Sequence, residues 1–164
     1  MKNKAVFLDR DGVINKKGQS YYIHREEEFI FNKGVTEALR HFTERGYLII
    51  IITNQGGIAK GVFTVEQLDK LHRFMLSSLE SSGIKITGIF YCPHHPDVEP
   101  CKCRKPGTLL FEKAIEKYDI DPAASVMIGD SETDIIPAEK LGIKGILIPA
   151  NGNMIEEVVK TGKV

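Results

Sequence analysis

The chain has 164 residues, 42% of them apolar and 27% charged, with 22 basic side chains balancing 22 acidic ones. That length suffices for one domain with its own core, and a zero net charge offers no broad field toward nucleic acid or an anionic membrane. The opening apolar run covers only Ala5 to Leu8, and the run at 47–52 is far below the roughly 18 residues of a membrane span, so neither a secretory leader nor a membrane segment is expected. Three cysteines cannot all pair within one chain. This argues against a disulfide framework and for a reducing cytoplasm.

Short β-rich runs alternate with helical patterns. KAVFLD (4–9) reads as a buried strand ending on an acid. Residues 34–46 carry Val35, Leu39 and Phe42 at helical spacing, with Gly46 as a stop. YLIIIIT (47–53) is apolar on both faces, as in a central parallel strand. Thr64 and Gln67 form a capping box for a helix over 64–83, whose apolar side runs Val65, Leu68, Leu71, Met75, Leu79. A strand over 86–92, a helix over 107–119, a strand over 125–130, a helix over 134–142, a strand over 144–149 and a helix over 152–161 follow. The alternation predicts an α/β fold, a Rossmann-like three-layer sandwich with a mostly parallel central sheet. Such sheets bind ligands beyond the carboxyl ends of their strands.

Three of those ends carry chemistry. In DRDGV, Asp9 and Asp11 are two apart and share a face in extended backbone. Carboxylates that close repel unless a divalent cation or a proton intervenes. TNQGG offers a hydroxyl, two amides and backbone N–H groups suited to an anion, without the ending of a P-loop. VMIGDSETD places Asp130 at a strand tip and Asp134 four residues on, an oxygen set that suits magnesium. Each has a plain alternative: a solvated turn for the first two, and a helix cap for Asp134.

All three cysteines fall in CPHHPDVEPCKC. Cys92, His94, Cys101 and Cys103 make a closed set of three thiolates and one imidazole, the pattern of structural zinc. His95 is an alternative to His94, which the spacing favours. Prolines 93, 96 and 100 leave this loop little core to join. With four protein ligands the zinc has no open position, so it is expected to fix the loop rather than to react.

In this order, Asp9-Arg10-Asp11-Gly12-Val13, Thr53, Lys105, and Gly129-Asp130 with Asp134 resemble the four motifs of the haloacid dehalogenase superfamily of phosphotransferases over nearly the whole chain. The TNQGGIAKGVFT segment and the zinc loop ending CRKP resemble the branch that holds the heptose bisphosphate phosphatases and the histidinol-phosphatase domain, the former more closely. The resemblance implies Asp9 as nucleophile, Asp11 as acid and base, Thr53 and Lys105 as ligands of the phosphoryl group, and Asp134 behind them, holding Lys105 or a metal-bound water. It implies Mg2+ held by Asp9, Asp130 and the backbone carbonyl of Asp11, and a Zn2+ staple that steadies Arg104 and Lys105.

Predicted helices and strands use up the stretches between motifs, so no cap domain is expected and residues 1–164 read as one phosphatase domain, with the zinc loop (92–103) inserted before the lysine. Specificity then falls to the loops at 15–24, 54–60 and 92–104, with Asn15, Asn54, Gln55, Lys60, Arg104 and Lys105 as candidate substrate contacts. The implied substrate is a small phosphorylated sugar, D-glycero-D-manno-heptose 1,7-bisphosphate, acted on by a cytoplasmic monomer without nucleic-acid or membrane partners. Histidinol phosphate is the alternative substrate and a DNA 3′-phosphate a third. A zinc-stabilised binding protein without catalysis is the alternative from another class. His41 and His72 read as surface or core-edge residues.

Overall fold

A computed structural model describes residues 1–18 and 20–164. Gln19, inside one expected specificity loop, lies outside the described residues. The elements run β1 (Lys4–Leu8), α1 (Val35–Glu44), β2 (Tyr47–Asn54), α2 (Val65–Glu80), β3 (Gly88–Cys92), α3 (Leu109–Tyr118), β4 (Val126–Gly129), α4 (Glu132–Lys140), β5 (Lys144–Leu147) and α5 (Met154–Lys160). Two short 3-10 turns, Glu26–Glu28 and Pro122–Ala124, were not foreseen from periodicity, because three residues are too few to show one.

The five strands form one sheet, ordered β3-β2-β1-β4-β5, with every pairing parallel. Alternation along the strands splits the core in two. Val6, Leu8, Ile49, Ile51 and Ile128 face α1, α2 and α5 through Leu39, Phe42, Leu71, Met75 and Val158. Ala5, Phe7, Ile50, Ile52 and Met127 face α3 and α4 through Phe111, Ala114, Ile135 and Ala138. A sheet covered on both sides needs apolar residues at consecutive positions, which is why β2 reads as an unbroken run. α2 starts where its capping box places it: Gln67 N donates to Thr64 Oγ1 at 3.1 Å and Thr64 N to Gln67 Oε1 at 2.8 Å. Loss of such a cap costs about 1 kcal/mol.

The chain builds outward from β1 to β2 and β3, then crosses back to β4 and β5. The order reverses between β1 and β4, the crevice where sheets of this kind bind ligands. Asp9 follows β1 there, its N–H donating to Ile128 O of β4 at 3.1 Å. Register does the rest on the other side of β1. Asn54 pairs with Cys92, so the cysteine loop leaves the sheet beside the TNQ segment. Among the described residues, no helix is long and apolar enough to cross a membrane.

Candidate active site

Four carboxylates and two cations line the crevice. Lys105 is 3% exposed, and its Nζ donates to Asp134 Oδ1 at 2.6 Å, Ile52 O at 2.7 Å and Asp9 Oδ1 at 3.0 Å. Burial weakens the hold of this amine on its proton, but Asp9 and Asp134 outweigh it and favour the ammonium. Burial pushes the Asp9 carboxyl up to about 6; Lys105 opposes the rise, and the neighbouring Asp134 and Asp11 add to it.

Asp134 spends both oxygens inside the protein, Oδ1 on Lys105 and Oδ2 on the backbone N–H of Asp130 at 3.2 Å. It does not cap α4; Ser131 does, its Oγ accepting from Thr133 N. Asp130 is the opposite case. Its side chain is 1% exposed and neither oxygen has an aligned hydrogen bond, although Lys17 Nζ stands 2.5 Å from Oδ2. Asp9, Asp130 and Asp134 each offer an oxygen within 4.8 Å of the others. With both Asp134 oxygens engaged, Asp9 Oδ1 on Lys105 and Asp130 Oδ2 beside Lys17, the oxygens left over are Asp9 Oδ2 and Asp130 Oδ1. Buried carboxylate oxygens lacking donors fit a hard divalent cation such as Mg2+. Gly12 makes this approach possible, since at φ 91° a Cβ there would lie 2.2 Å from Asp130 Oδ2.

Asp11 turns its carboxylate away from that group. Oδ1 accepts from Arg10 Nη2 at 2.8 Å, Asn15 Nδ2 at 2.9 Å and Arg10 Nε at 3.1 Å, and Oδ2 accepts from Gln55 Nε2 at 3.1 Å. Asn15 and Gln55, expected to touch substrate, are 0% and 2% exposed. Their amides hold Asp11 instead, and Gln55 also reaches Thr53 Oγ1 at 3.0 Å. Thr53 itself is 1% exposed. Asn54 borders the crevice and clasps the backbone of Lys105: its Oδ1 accepts from Lys105 N at 3.0 Å, and its Nδ2 donates to Lys105 O at 3.2 Å. These amides read in sequence as free recognition groups, because an amide looks the same before its partner is known, whether that partner is four residues away as for Asn15 or 44 and 51 away as for Gln55 and Asn54.

The zinc candidates converge. Cys103 Sγ is 2.9 Å from Cys92 Sγ and 3.2 Å from His94 Nδ1, and Cys92 Sγ is 3.6 Å from both Cys101 Sγ and His94 Nδ1. Thiolates around zinc at about 2.3 Å stand about 3.8 Å apart, so this soft donor set could hold such an ion once Cys92 and Cys103 move apart. His94 Nε2 faces Glu99 Oε1 at 3.7 Å, the outward partner that steadies a ligand imidazole. His95 is outside the cluster, and its Nδ1 accepts from Asp97 N at 3.1 Å. Of the cations expected to touch substrate besides Lys105, Arg104 donates to His94 O at 3.2 Å, and Lys60 pairs with Asp97 at 3.1 Å.

Lys17, Ser131 and Thr133 also line the crevice. Sequence reasoning missed them. Lys17 sits in an undistinguished polar stretch, and Asn151, 134 positions away, holds both its backbone N–H and its carbonyl.

The HAD-hydrolase-like family model matches residues 102–162. A D-glycero-beta-D-manno-heptose-1,7-bisphosphate 7-phosphatase of Haemophilus ducreyi is 42% identical over 161 residues, 94% of this chain and 87% of that protein. The chain belongs to the haloacid dehalogenase-like hydrolases, in the branch of the heptose bisphosphate phosphatases. A relative from Photorhabdus laumondii, named for the alpha anomer, is 39% identical over 95% of this chain and 87% of its own. The crystal structure of D,D-heptose 1,7-bisphosphate phosphatase from B. bronchiseptica, complexed with magnesium and phosphate, superposes with a TM-score of 0.84 at 32% identity, covering 96% of this chain and 86% of that one.

Proposed function

We propose that the chain is a magnesium-dependent phosphatase that removes the 7-phosphate of D-glycero-D-manno-heptose 1,7-bisphosphate. The observation that carries this is the Asp9–Lys105–Asp134 cluster at the switch point, with Asp130 buried and short of donors beside it. The relatives' names supply the substrate. Residues 1–164 then act as one catalytic domain, which we take to be a monomer, and the reduced cysteines that thiolate ligation of zinc requires favour the cytoplasm.

Asp9 attacks phosphorus through a carboxylate oxygen, forming an acyl phosphate as the P–O bond to the sugar breaks. The electron pair of that bond goes to the sugar oxygen, which takes a proton from Asp11. A water then attacks the same phosphorus, giving its proton to the Asp11 carboxylate. Inorganic phosphate leaves and Asp9 is regenerated. Lys105, held by Asp134 against rotation, supplies positive charge where phosphoryl oxygens accumulate negative charge. Mg2+, held by Asp9, Asp130 and the Asp11 carbonyl, would offset repulsion between carboxylate and phosphate. Zinc at Cys92, His94, Cys101 and Cys103 would fix the loop that carries Arg104 and Lys105, with Arg104 and Lys60 available to the second phosphate.

The test is phosphate release, in Mg2+, from both heptose 1,7-bisphosphate anomers and from histidinol phosphate. Release from a heptose bisphosphate at a rate at least tenfold above histidinol phosphate supports the reading; the reverse order overturns the substrate.

A further inference from the structure

Arg10 is the largest side chain that is fully buried among the described residues, and none of the steps above uses it. Its guanidinium holds four contacts. Nη2 and Nε donate to Asp11 Oδ1 at 2.8 and 3.1 Å, Nη2 donates to Ile23 O at 2.7 Å, and Nη1 lies 3.2 Å from His72 Nε2. The ring of Phe29 lies 5.9 Å from Cζ. An arginine only donates and cannot deprotonate. The His72 contact therefore has one reading: Nε2 is the acceptor, the imidazole is neutral, and its proton is on Nδ1. Burial, reinforced by the adjacent Arg10 charge, holds the imidazole in that neutral form.

The two oxygens of Asp11 are consequently unlike. Oδ1 takes three N–H donors, from Arg10 twice and Asn15 once, and has no lone pair left for a proton. Oδ2 takes one, from Gln55. A carboxyl held in this way can carry and release a proton only at Oδ2.

We propose that Arg10 and His72 form a clamp that selects Oδ2 of Asp11 as the proton-transferring atom, making His72, an α2 residue outside the four motifs, a positioning residue for departure of the sugar. This rests on the reading of Asp11 as the acid. In the step served, the bond from phosphorus to the sugar oxygen breaks, and the proton on Oδ2 moves to that oxygen. Without a firm acceptor at Nε2 the guanidinium turns, and Oδ2 no longer has a fixed direction.

Protonation matters for a sugar alkoxide and hardly at all for 4-nitrophenolate, a leaving group stable as the anion. A misplaced proton donor therefore lowers kcat/KM, which reports the steps through leaving-group departure, on the sugar bisphosphate and spares it on 4-nitrophenyl phosphate. General acid catalysis is worth about 10²–10⁴-fold. His72→Leu is expected to lose about tenfold of that on heptose bisphosphate and less than about twofold on the aryl ester. In His72→Gln the amide Oε1 stands near the place of Nε2, and both substrates stay within about twofold of the parent. Arg10→Lys, which keeps the charge but loses the fork, follows His72→Leu and serves if the leucine variant does not fold, as judged by its melting temperature and zinc content. Equal losses on both substrates, or a glutamine variant no better than leucine, overturn the clamp. Asp11→Asn is measured alongside. If it too lowers both substrates equally, the acid role of Asp11 fails and the clamp with it; if it is selective while His72→Leu is not, only the clamp fails.

Discussion

The two rims of the crevice are built by different physics. On the β1–β4 side, Asp9, Arg10, Asp11, Lys105 and Asp134 are fixed by burial and by hydrogen bonds to strands that form the middle of the sheet. On the β3 side, residues 96–102 are exposed, and of the three cysteines only Cys92 is buried in the core. That loop has few apolar groups to bury and depends on four donor atoms meeting at a point. The first rim is held by the fold, whereas the second, in the reading proposed above, is held by a metal ion. The two meet at Lys105, whose backbone ends the cysteine loop while its ammonium belongs to the carboxylate cluster.

Removing the nucleophile tests the buried rim alone. Asp9→Asn should reduce turnover of heptose bisphosphate by more than about 10³-fold, with zinc content and melting temperature close to the parent's. An active variant would break the assignment of Asp9. Disabling the ligand-held rim should be milder and should spread. Cys101→Ser should lose most bound zinc, measured by metal analysis, and about tenfold of activity through a loosened Arg104 and Lys105. Unchanged zinc and rate would show that the loop needs no staple.

A smaller effect is expected at Lys17, which stands against Asp130. Lys17→Met should lower the Mg2+ concentration for half-maximal rate by about two- to fivefold, since the lysine that now offsets Asp130 is itself half-exposed and screened by solvent. A higher requirement would mean that Lys17 assists the metal rather than competing with it.

The smallest effect is one of stability. Burial first, and Arg10 next, depress His72 from an unfolded value of 6.5 to about 3. The unfolded chain therefore binds a proton below pH 6.5 that the folded protein refuses, and stability falls as pH drops from there toward 3. Around His72 stand Arg10 and Asp11 of the β1 loop, Tyr91 of β3, and Asp69 and Arg73 of α2 itself. The melting temperature of His72→Gln should consequently decline less than the parent's between pH 7 and 5. Parallel declines would remove His72 from the acid response.

Much of this was legible in the sequence, for local reasons. An apolar run such as Tyr47–Ile52 announces a strand covered on both faces, and Thr64 with Gln67 announces a helix start, because both signals lie within a few residues. The cysteine loop was legible for the same reason, three thiols and an imidazole within twelve positions. Asn15 and Gln55 were read as recognition groups because an amide looks alike whether it faces a ligand or a buried carboxylate. His72 reads in sequence as a surface or core-edge histidine because its partner lies 62 positions away.

The sequence by itself determined the alternation of strands and helices, the acids at the strand tips and the donor set of the zinc loop, since each follows from neighbours along the chain. Only the tertiary structure decided which groups are shared between rims, which oxygen of Asp11 is left free, and why Arg10 can be buried. Those depend on parallel register and on helix packing that bring residues 10, 54, 72, 105 and 134 together. Charge and hydrogen-bond partners are properties of the assembled space, and no local pattern encodes them.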